Sequence, residues 1–423
     1  MNIGVLSEDL LREILVRLPV KSLLKFCCVS KAWCDLINSP YFADMRLGHS
    51  KNHRVFLIMQ CLNDEKKALL SFHSDYLSPG RGIASAGEVA PNLKLPSSTH
   101  SFSSLRLFGS CNGIVCLAEL LIWSNYDLDK FWSNSDSDKI YLCNLATRQF
   151  LTLPPSPFGC PDEFVDVQIS TTSLGFGFDP STQDYKLVKF IEYFFAETSA
   201  PPVGGVQIYQ LRTNSWRKLE RDVSCPSAIV PYQSFPVSIL INGFLIMHWC
   251  ATSMCDNLWQ GILSFNMSTE AFQKIELPPC DKPGGNEFNL AVLNDSLAFI
   301  LFGSRFLEPP PILTTEHSID IWVMMEYGIK ESWVKKYSIH PFSLSGCAPL
   351  RVFAPCSSWN NDILLLESEN GHFISCSLKD NNCQEICKYS VCKYRLGCIQ
   401  SLVYEENLVS FAGISDGLHW KKM

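Results

Sequence analysis

Four groups of residues in this 423-residue chain have types and spacings that could do chemistry. Gly413-Ile-Ser-Asp-Gly417 fits the pattern in which a serine attacks an acyl carbon. That mechanism needs the serine on a sharp strand-to-helix turn with a base nearby. No helical pattern follows here, so the segment reads as a plain turn. Cys376, Cys383, Cys387, Cys392 and Cys398 crowd the C-terminal region. Zinc wants closely spaced cysteine pairs or a histidine partner; Cys383 and Cys387 lack a clear second pair, and all five read as thiols on strands. His49 and His53 are spaced as two ligands on one helix face, but they fall at the exit of a helical segment and read as solvated linker. Gly175-Phe-Gly177 lacks the third glycine and the following helix of a phosphate cradle. The sequence therefore offers no catalytic residue, no metal site and no cofactor site. The work it points to is binding.

The elements that would carry binding begin at the N-terminus. Leu6 to Leu47 reads as three short helices. Ser7 can cap the first, and Glu8 and Asp9 then occupy its first turn, where negative charge suits the helix dipole. Leu11, Ile14, Leu15 and Leu18 follow as one apolar stripe, and Pro19 stops the helix. Val20 to Cys28 forms a second helix carrying Leu23, Leu24 and Phe26. Ser30 caps a third, with Trp33, Leu36 and Ile37 on one side. Helices this short are marginal alone. A segment of about forty residues buries too little surface to be secure. It also carries more large apolar side chains than three small helices can hide. Either the rest of the chain covers the surplus or another protein lays its own helices across it.

This segment resembles an F-box, the module that docks substrate receptors onto the Skp-type adaptor of a cullin ubiquitin ligase. The resemblance is carried by Leu6, Glu8-Asp9, Ile14, Leu18-Pro19, Lys21-Ser22-Leu23, Val29-Ser30-Lys31, Trp33 and the Ser39-Pro40-x-Phe42 exit. The family usually enters with Leu-Pro where this chain has Leu6-Ser7; serine remains a fair cap. The resemblance implies adaptor contacts at Leu6, Ile14, Leu18, Pro19, Leu23, Val29 and Trp33. Packing within the helices is the competing role for each.

Composition narrows the rest. With 47% hydrophobic and 18% charged residues, a large core can form and disorder is not expected. A net charge of −7 and the lack of any Lys/Arg run argue against nucleic acid and suit a basic protein partner. The 19 cysteines are odd in number and irregularly spaced, so reduced thiols are expected rather than a disulfide framework. No secretory start or membrane span is visible. The expected location is the cytoplasm, with the nucleus as a second compartment.

From Arg54 onward the period becomes alternating. A β-like run, a polar turn, an aromatic and a second β-like run recur around Phe150, Trp216, Phe272 and Trp333, which read as core. Between them lie hairpins such as Gly113–Leu117, Tyr185–Val188 and Asn242–Trp249, several opened by Asn-Gly or Asn-Asp. Those pairs supply the positive φ angles of tight turns. One hairpin of each kind makes a four-stranded sheet. Five such sheets are expected, at roughly 105–154, 172–219, 235–278, 288–339 and 351–391. An outer pair at 54–73 and an inner pair at 398–411 would make a sixth from both chain ends. The expected fold is mixed but mainly all-β, an F-box domain at 1–50 and a six-bladed β-propeller at 51–415. A two-sheet sandwich is the alternative.

This region is similar to the F-box-associated domain of plant F-box proteins. Phe108–Cys116, Asn144–Arg148, Leu174–Asp179 and Asn214-Ser-Trp216 carry that similarity. The S-locus F-box subgroup is closer still, through Leu153–Pro161, His248-Trp249-x-Ala-Thr252, Asp320–Gly328 and Glu331-Ser-Trp333. The resemblance implies a non-catalytic receptor of a cullin ligase, in that subgroup for basic pistil S-ribonucleases. The alternatives are a receptor for another protein, such as an immune regulator, and an enzyme on a propeller scaffold. Nothing resembles the zinc lattice of a self-sufficient ubiquitin ligase. Loops that interrupt the repeat are candidates for target recognition. Asp127, Asp129, Asp136 and Asp138 give one of them an acidic bias.

Overall fold

The computed structural model describes residues 7–50, 54–62, 67–73, 105–119, 139–158, 167–195, 203–219, 239–241, 243–251, 259–280, 288–302, 319–339, 352–359, 363–368, 372–380, 383–388, 399–411 and 420–422. The N-terminal segment holds four helices, one more than the sequence suggested: α1 (Glu8–Leu15), α2 (Val20–Phe26), α3 (Lys31–Ile37) and α4 (Pro40–Ser50). Ser7 caps α1 by accepting from the Leu10 N–H at 3.4 Å, and Ser30 caps α3 by accepting from the Trp33 N–H at 3.1 Å. The fourth helix begins where an exit was expected. Ser39 Oγ accepts from the Phe42 N–H at 3.2 Å, and Pro40 takes the first helical position, where its missing N–H costs nothing. His49 therefore lies within α4 rather than in a linker; His53 lies outside the described residues.

Arg46 of α4 closes the bundle by donating to the carbonyls of Val16 at 3.1 Å and Leu18 at 2.6 Å. It satisfies acceptors that the end of α1 leaves without helical partners. Leu15, Val16, Val20, Leu23, Ile37 and Phe42 form the buried core of this module, joined by Leu408 from the far end of the chain.

The β region forms six sheets among the described residues. The chain enters through β1 (Arg54–Leu62) and β2 (Lys67–His73). The first sheet is β3 (Leu105–Cys111), β4 (Ile114–Glu119), β5 (Lys139–Asn144) and β6 (Gln149–Thr152). The second is β7 (Val167–Asp179), β8 (Asp184–Phe195), β9 (Val203–Gln210) and β10 (Ser215–Lys218). The third is β11 (Ile239–Ile241), β12 (Phe244–Ala251), β13 (Trp259–Asn266) and β14 (Phe272–Ile275). The fourth is β15 (Phe288–Leu293), β16 (Ser296–Phe302), β17 (Ile319–Met324) and β18 (Trp333–Ile339). The fifth is β19 (Val352–Trp359), β20 (Ile363–Ser368), β21 (His372–Ser377) and β22 (Cys383–Lys388). All are antiparallel meanders. β23 (Ile399–Glu405) then pairs with β1, from Arg54↔Glu405 to Gln60↔Ile399, and completes a sheet from both chain ends.

The first strands neighbour one another in a closed circuit: β3 on β7, β7 on β11, β11 on β15, β15 on β19, β19 on β23, and β23 on β3. That circuit is propeller-like and is not the two facing layers of a sandwich. Closure leaves only short outer edges to solvent. Tight turns sit where the asparagines predicted them. Asn112 and Gly113 (φ 51° and 80°) join β3 to β4, and Asn294 and Asp295 (φ 54° and 55°) join β15 to β16.

Three details depart from the sequence reading. β24 (Trp420–Lys422) adds a fifth strand to the first sheet, beside β6. The expected inner pair at 398–411 is a single strand, because residues 406–411 leave β23 and bond elsewhere. Cys376 and Cys383 are opposite each other across β21 and β22 and form a disulfide rather than two thiols. Gly175-Phe-Gly177 lies inside β7, and 413–417 lies outside the described residues, as do Cys392 and Cys398.

Of the recurring aromatics Phe150, Trp216 and Trp333 are buried and Phe272 is half-buried, and the two tryptophans latch sheets together. Trp216 and Trp333 are buried, and each donates its indole N–H to the sheet before: to the Pro154 carbonyl at 2.8 Å and to the Glu276 carbonyl at 2.9 Å. Phe150 is buried against Tyr141, and Phe272 packs on Phe190 and Phe265.

Between the second and third sheets lies a buried ionic knot. Lys186 Nζ meets Asp179 at 2.7 Å, Glu270 at 2.9 Å and the Met267 carbonyl at 2.8 Å, which uses all three ammonium protons. Arg217 also pairs with Glu270. Burial pushes both carboxyls upward. Hydrogen bonds from Lys186, Ser268, Ser181 and Thr182 outweigh it at Asp179, and Arg217 and Lys186 outweigh it at Glu270, so both end below the usual carboxylate range.

Candidate functional site

The helical module divides its apolar residues between two faces. Leu11 and Leu15 of α1, with Val16 and Leu18 just after it, turn toward the module core. Leu10 and Ile14, one turn apart, point away from it. Together with Val29 in the turn after α2 and Tyr41 at the start of α4, they are 48–67% exposed. Large side chains left this open on so small a module form the kind of surface another protein covers.

The seven residues named from the sequence are not placed alike. Ile14 and Val29 are open to solvent, and Pro19 is exposed at the corner between α1 and α2. Ile14 thus departs from the inward stripe to which its spacing assigned it. Trp33 and Leu18 are half-buried, with the Trp33 ring edge-on to Phe26 at 5.3 Å. Leu23 is fully buried among Leu15, Val20 and Ile37, so its place is the module's own core. Leu6 lies outside the described residues. Leu10 and Tyr41 were missed. Leu10 stands next to the inward stripe and is signalled only by its spacing of four from Ile14.

Charges frame this face. Arg12 bridges Glu8 at 2.5 Å and Asp9 at 3.0 Å, and its guanidinium lies 5.6 Å from the centre of the Tyr41 ring. Arg17 pairs with Glu13 at 3.2 Å beside Ile14. Exposed pairs of this kind contribute about 0–1 kcal/mol each and serve orientation more than affinity. Burial raises the Cys27 thiol to about 11, with Cys34 adding to the effect, so it is protonated near neutrality.

On the ring, Asp127, Asp129, Asp136 and Asp138 fall between β4 and β5, outside the described residues. Their anchoring ends are described. Glu119 and Lys139 pair at the end of the first sheet away from the helical module, whose core touches the opposite end through Ala146. Among the described residues no group of three metal-ligating side chains is gathered, and no helix is long and apolar enough to cross a membrane.

Comparison with known proteins agrees with this division. Residues 106–407 match the profile described as the F-box associated beta propeller domain, and residues 3–44 match the F-box domain. The chain is 27% identical to the F-box/kelch-repeat protein At3g23880 of Arabidopsis thaliana, over 96% of this chain and 95% of that protein. It is 25% identical to the F-box protein At3g07870 of Arabidopsis thaliana, over 87% and 79%. It is 26% identical to the F-box protein CPR1 of the same plant, over 79% and 73%.

Proposed function

Because the chain belongs to the plant F-box proteins that carry an F-box associated β-propeller domain, we propose that it is a substrate receptor of a cullin-type ubiquitin ligase. The helical module docks on a Skp-type adaptor and through it on the cullin; the ring holds a target protein. The observation that carries this reading is the outward face of the module, with Leu10, Ile14, Val29 and Tyr41 left open. A receptor of this kind catalyses nothing. It raises the effective concentration of the target's lysines near the charged ubiquitin-conjugating enzyme.

Each of the six sheets is one blade in this reading, and the target binds the end of the ring away from the helices. Asp127, Asp129, Asp136 and Asp138 stand in the sequence between Glu119 and Lys139, which lie at that end, and the net charge of −7 favours encounter with a basic protein. The similarity to the S-locus subgroup makes a basic S-ribonuclease the first target to try, and an immune regulator the second. Reconstitution tests the receptor reading. Purified full-length chain, Skp-type adaptor and cullin should co-elute as one species of equal stoichiometry. A folded chain that elutes apart from the adaptor at micromolar concentrations contradicts it.

A further inference from the structure

We infer that residues 406–411, which leave the last inner strand, are the positioning element that fixes the helical module on the ring, with Leu408 and Asn407 as its working residues. The inference rests on the receptor reading, because it concerns where the docked adaptor stands relative to the target. The covalent link from Ser50 of α4 to Arg54 of β1 is one attachment of the module to the ring. The chain's far end supplies a second attachment.

One buried amide organises it. Asn144, at the end of β5, donates through Nδ2 to the Asn407 carbonyl at 3.1 Å and to the Val409 carbonyl at 2.7 Å. These bonds grip the backbone on either side of Leu408, whose own N–H donates to Asn407 Oδ1 at 2.6 Å. Held this way, Leu408 enters the module core beside Leu15, Val16 and Leu23. Asn144 Oδ1 meanwhile accepts from the N–H groups of Ala146 and Thr147 at 3.0 and 3.1 Å. Ala146 is a second ring residue packed against the module core. The same side chain thus aligns both contact points.

Surrounding groups leave little freedom. Gln149 ties the end of the segment, donating to Ser410 Oγ at 2.8 Å and accepting from the Phe411 N–H at 3.2 Å. Gly113 admits Asn407 only because it lacks a side chain: a Cβ there would lie 2.6 Å from Asn407 Cβ. Glu406 faces Arg46 of the module electrostatically. A module seated by a buried, largely neutral network holds one orientation, and a lysine held at a fixed distance is modified at a fixed place.

The test uses the full chain and two independent readouts. A lysine-reactive bis-succinimidyl ester links Lys21, Lys25 and Lys31, all exposed on the module, to ring lysines, and peptide mapping identifies the partners. Titration with the Skp-type adaptor reports docking separately. The wild type should give a narrow set of links. Leu408→Ala and Asn144→Ala should each spread them to ring lysines the wild type never reaches, and Leu408→Met should restore the narrow set. Adaptor affinity should stay within about threefold, under about 0.7 kcal/mol. Asn144→Ala leaves the module's own core intact and decides the matter if Leu408→Ala unfolds the helices. An unchanged set of links in a folded Asn144→Ala chain overturns the inference. Failure of the wild type to bind adaptor overturns the receptor reading instead and leaves the cross-link result standing.

Discussion

Among the described residues, four of the large apolar side chains left exposed belong to the helical module (Leu10, Ile14, Val29, Tyr41) and three to one hairpin of the ring (Met325, Ile329, Val334). The module has 44 described residues, at 7–50, and the ring several times more. Among the described ring residues the exposure falls in the turn region of β17 and β18, whose base is pinned by Trp333 on Glu276 and by Tyr327 on Ser264 and Phe244. In the module it is spread over α1, the α2–α3 turn and α4. Among the described residues the ring buries its large apolar side chains within the chain apart from that hairpin, and it seats a buried lysine with all three protons used. The module does not, and its outer face is what remains to be completed from outside.

The ring's self-sufficiency is where a single change should cost most. Lys186→Met leaves Asp179 buried without its cation, and loss of one partner of such a pair costs about 3–5 kcal/mol. Thermal unfolding of the full chain should show it as a large fall in melting temperature. The same knot predicts acid sensitivity. Asp179 and Glu270 lie below their ordinary values of 3.8 and 4.5 in the folded chain. Their contribution is complete above those values and is lost as pH falls through the lower folded ones. Melting temperature followed from pH 7 downward should therefore drop below about pH 4.5, and less steeply in Lys186→Met.

Next in size is Leu23→Ala, which opens a cavity in the module core and costs about 2–5 kcal/mol. Helix loss by circular dichroism should accompany it while the ring's β signal stays. Smaller still is Trp333→Phe. It removes one indole hydrogen bond between the third and fourth sheets, worth about 1 kcal/mol, and keeps most of the packing. Chemical denaturation should resolve that shift, and Trp216→Phe should match it if the two latches are equivalent.

Much of this was legible in the chain. Ser7 and Ser30 announced their helices, Asn112-Gly113 and Asn294-Asp295 their turns, and the spaced aromatics the repeat. Pairing of β1 with β23 followed from two hairpins left without partners. What stayed hidden depends on residues far apart in sequence. Ser268 reaches Asp179 across 89 positions, and Asn144 reaches Asn407 across 263. No local pattern marks either. Leu10 was hidden for another reason: α1 has more apolar positions than one stripe, spacing alone does not say which of them faces inward, and Ile14 was named as a contact through the resemblance, not through its spacing. The fourth helix was missed because Ser39-Pro40 reads equally as an exit and as a cap followed by a proline. The acidic positions from Asp127 to Asp138 fall outside the described residues, so the target face rests on topology and charge.

The most direct measurement is a calorimetric titration of Skp-type adaptor into the full chain, run in parallel on two paired variants. Ile14→Asp with Val29→Asp places charge on the module's outer face, and Met325→Asp with Ile329→Asp does the same on the ring's hairpin. The first pair should weaken binding at least about 100-fold, roughly 2.7 kcal/mol, with helicity unchanged. The second should leave it at the wild-type value. Equal affinity for the wild type and the first pair, or loss of binding in the second alone, would contradict a module whose surface is completed by the adaptor.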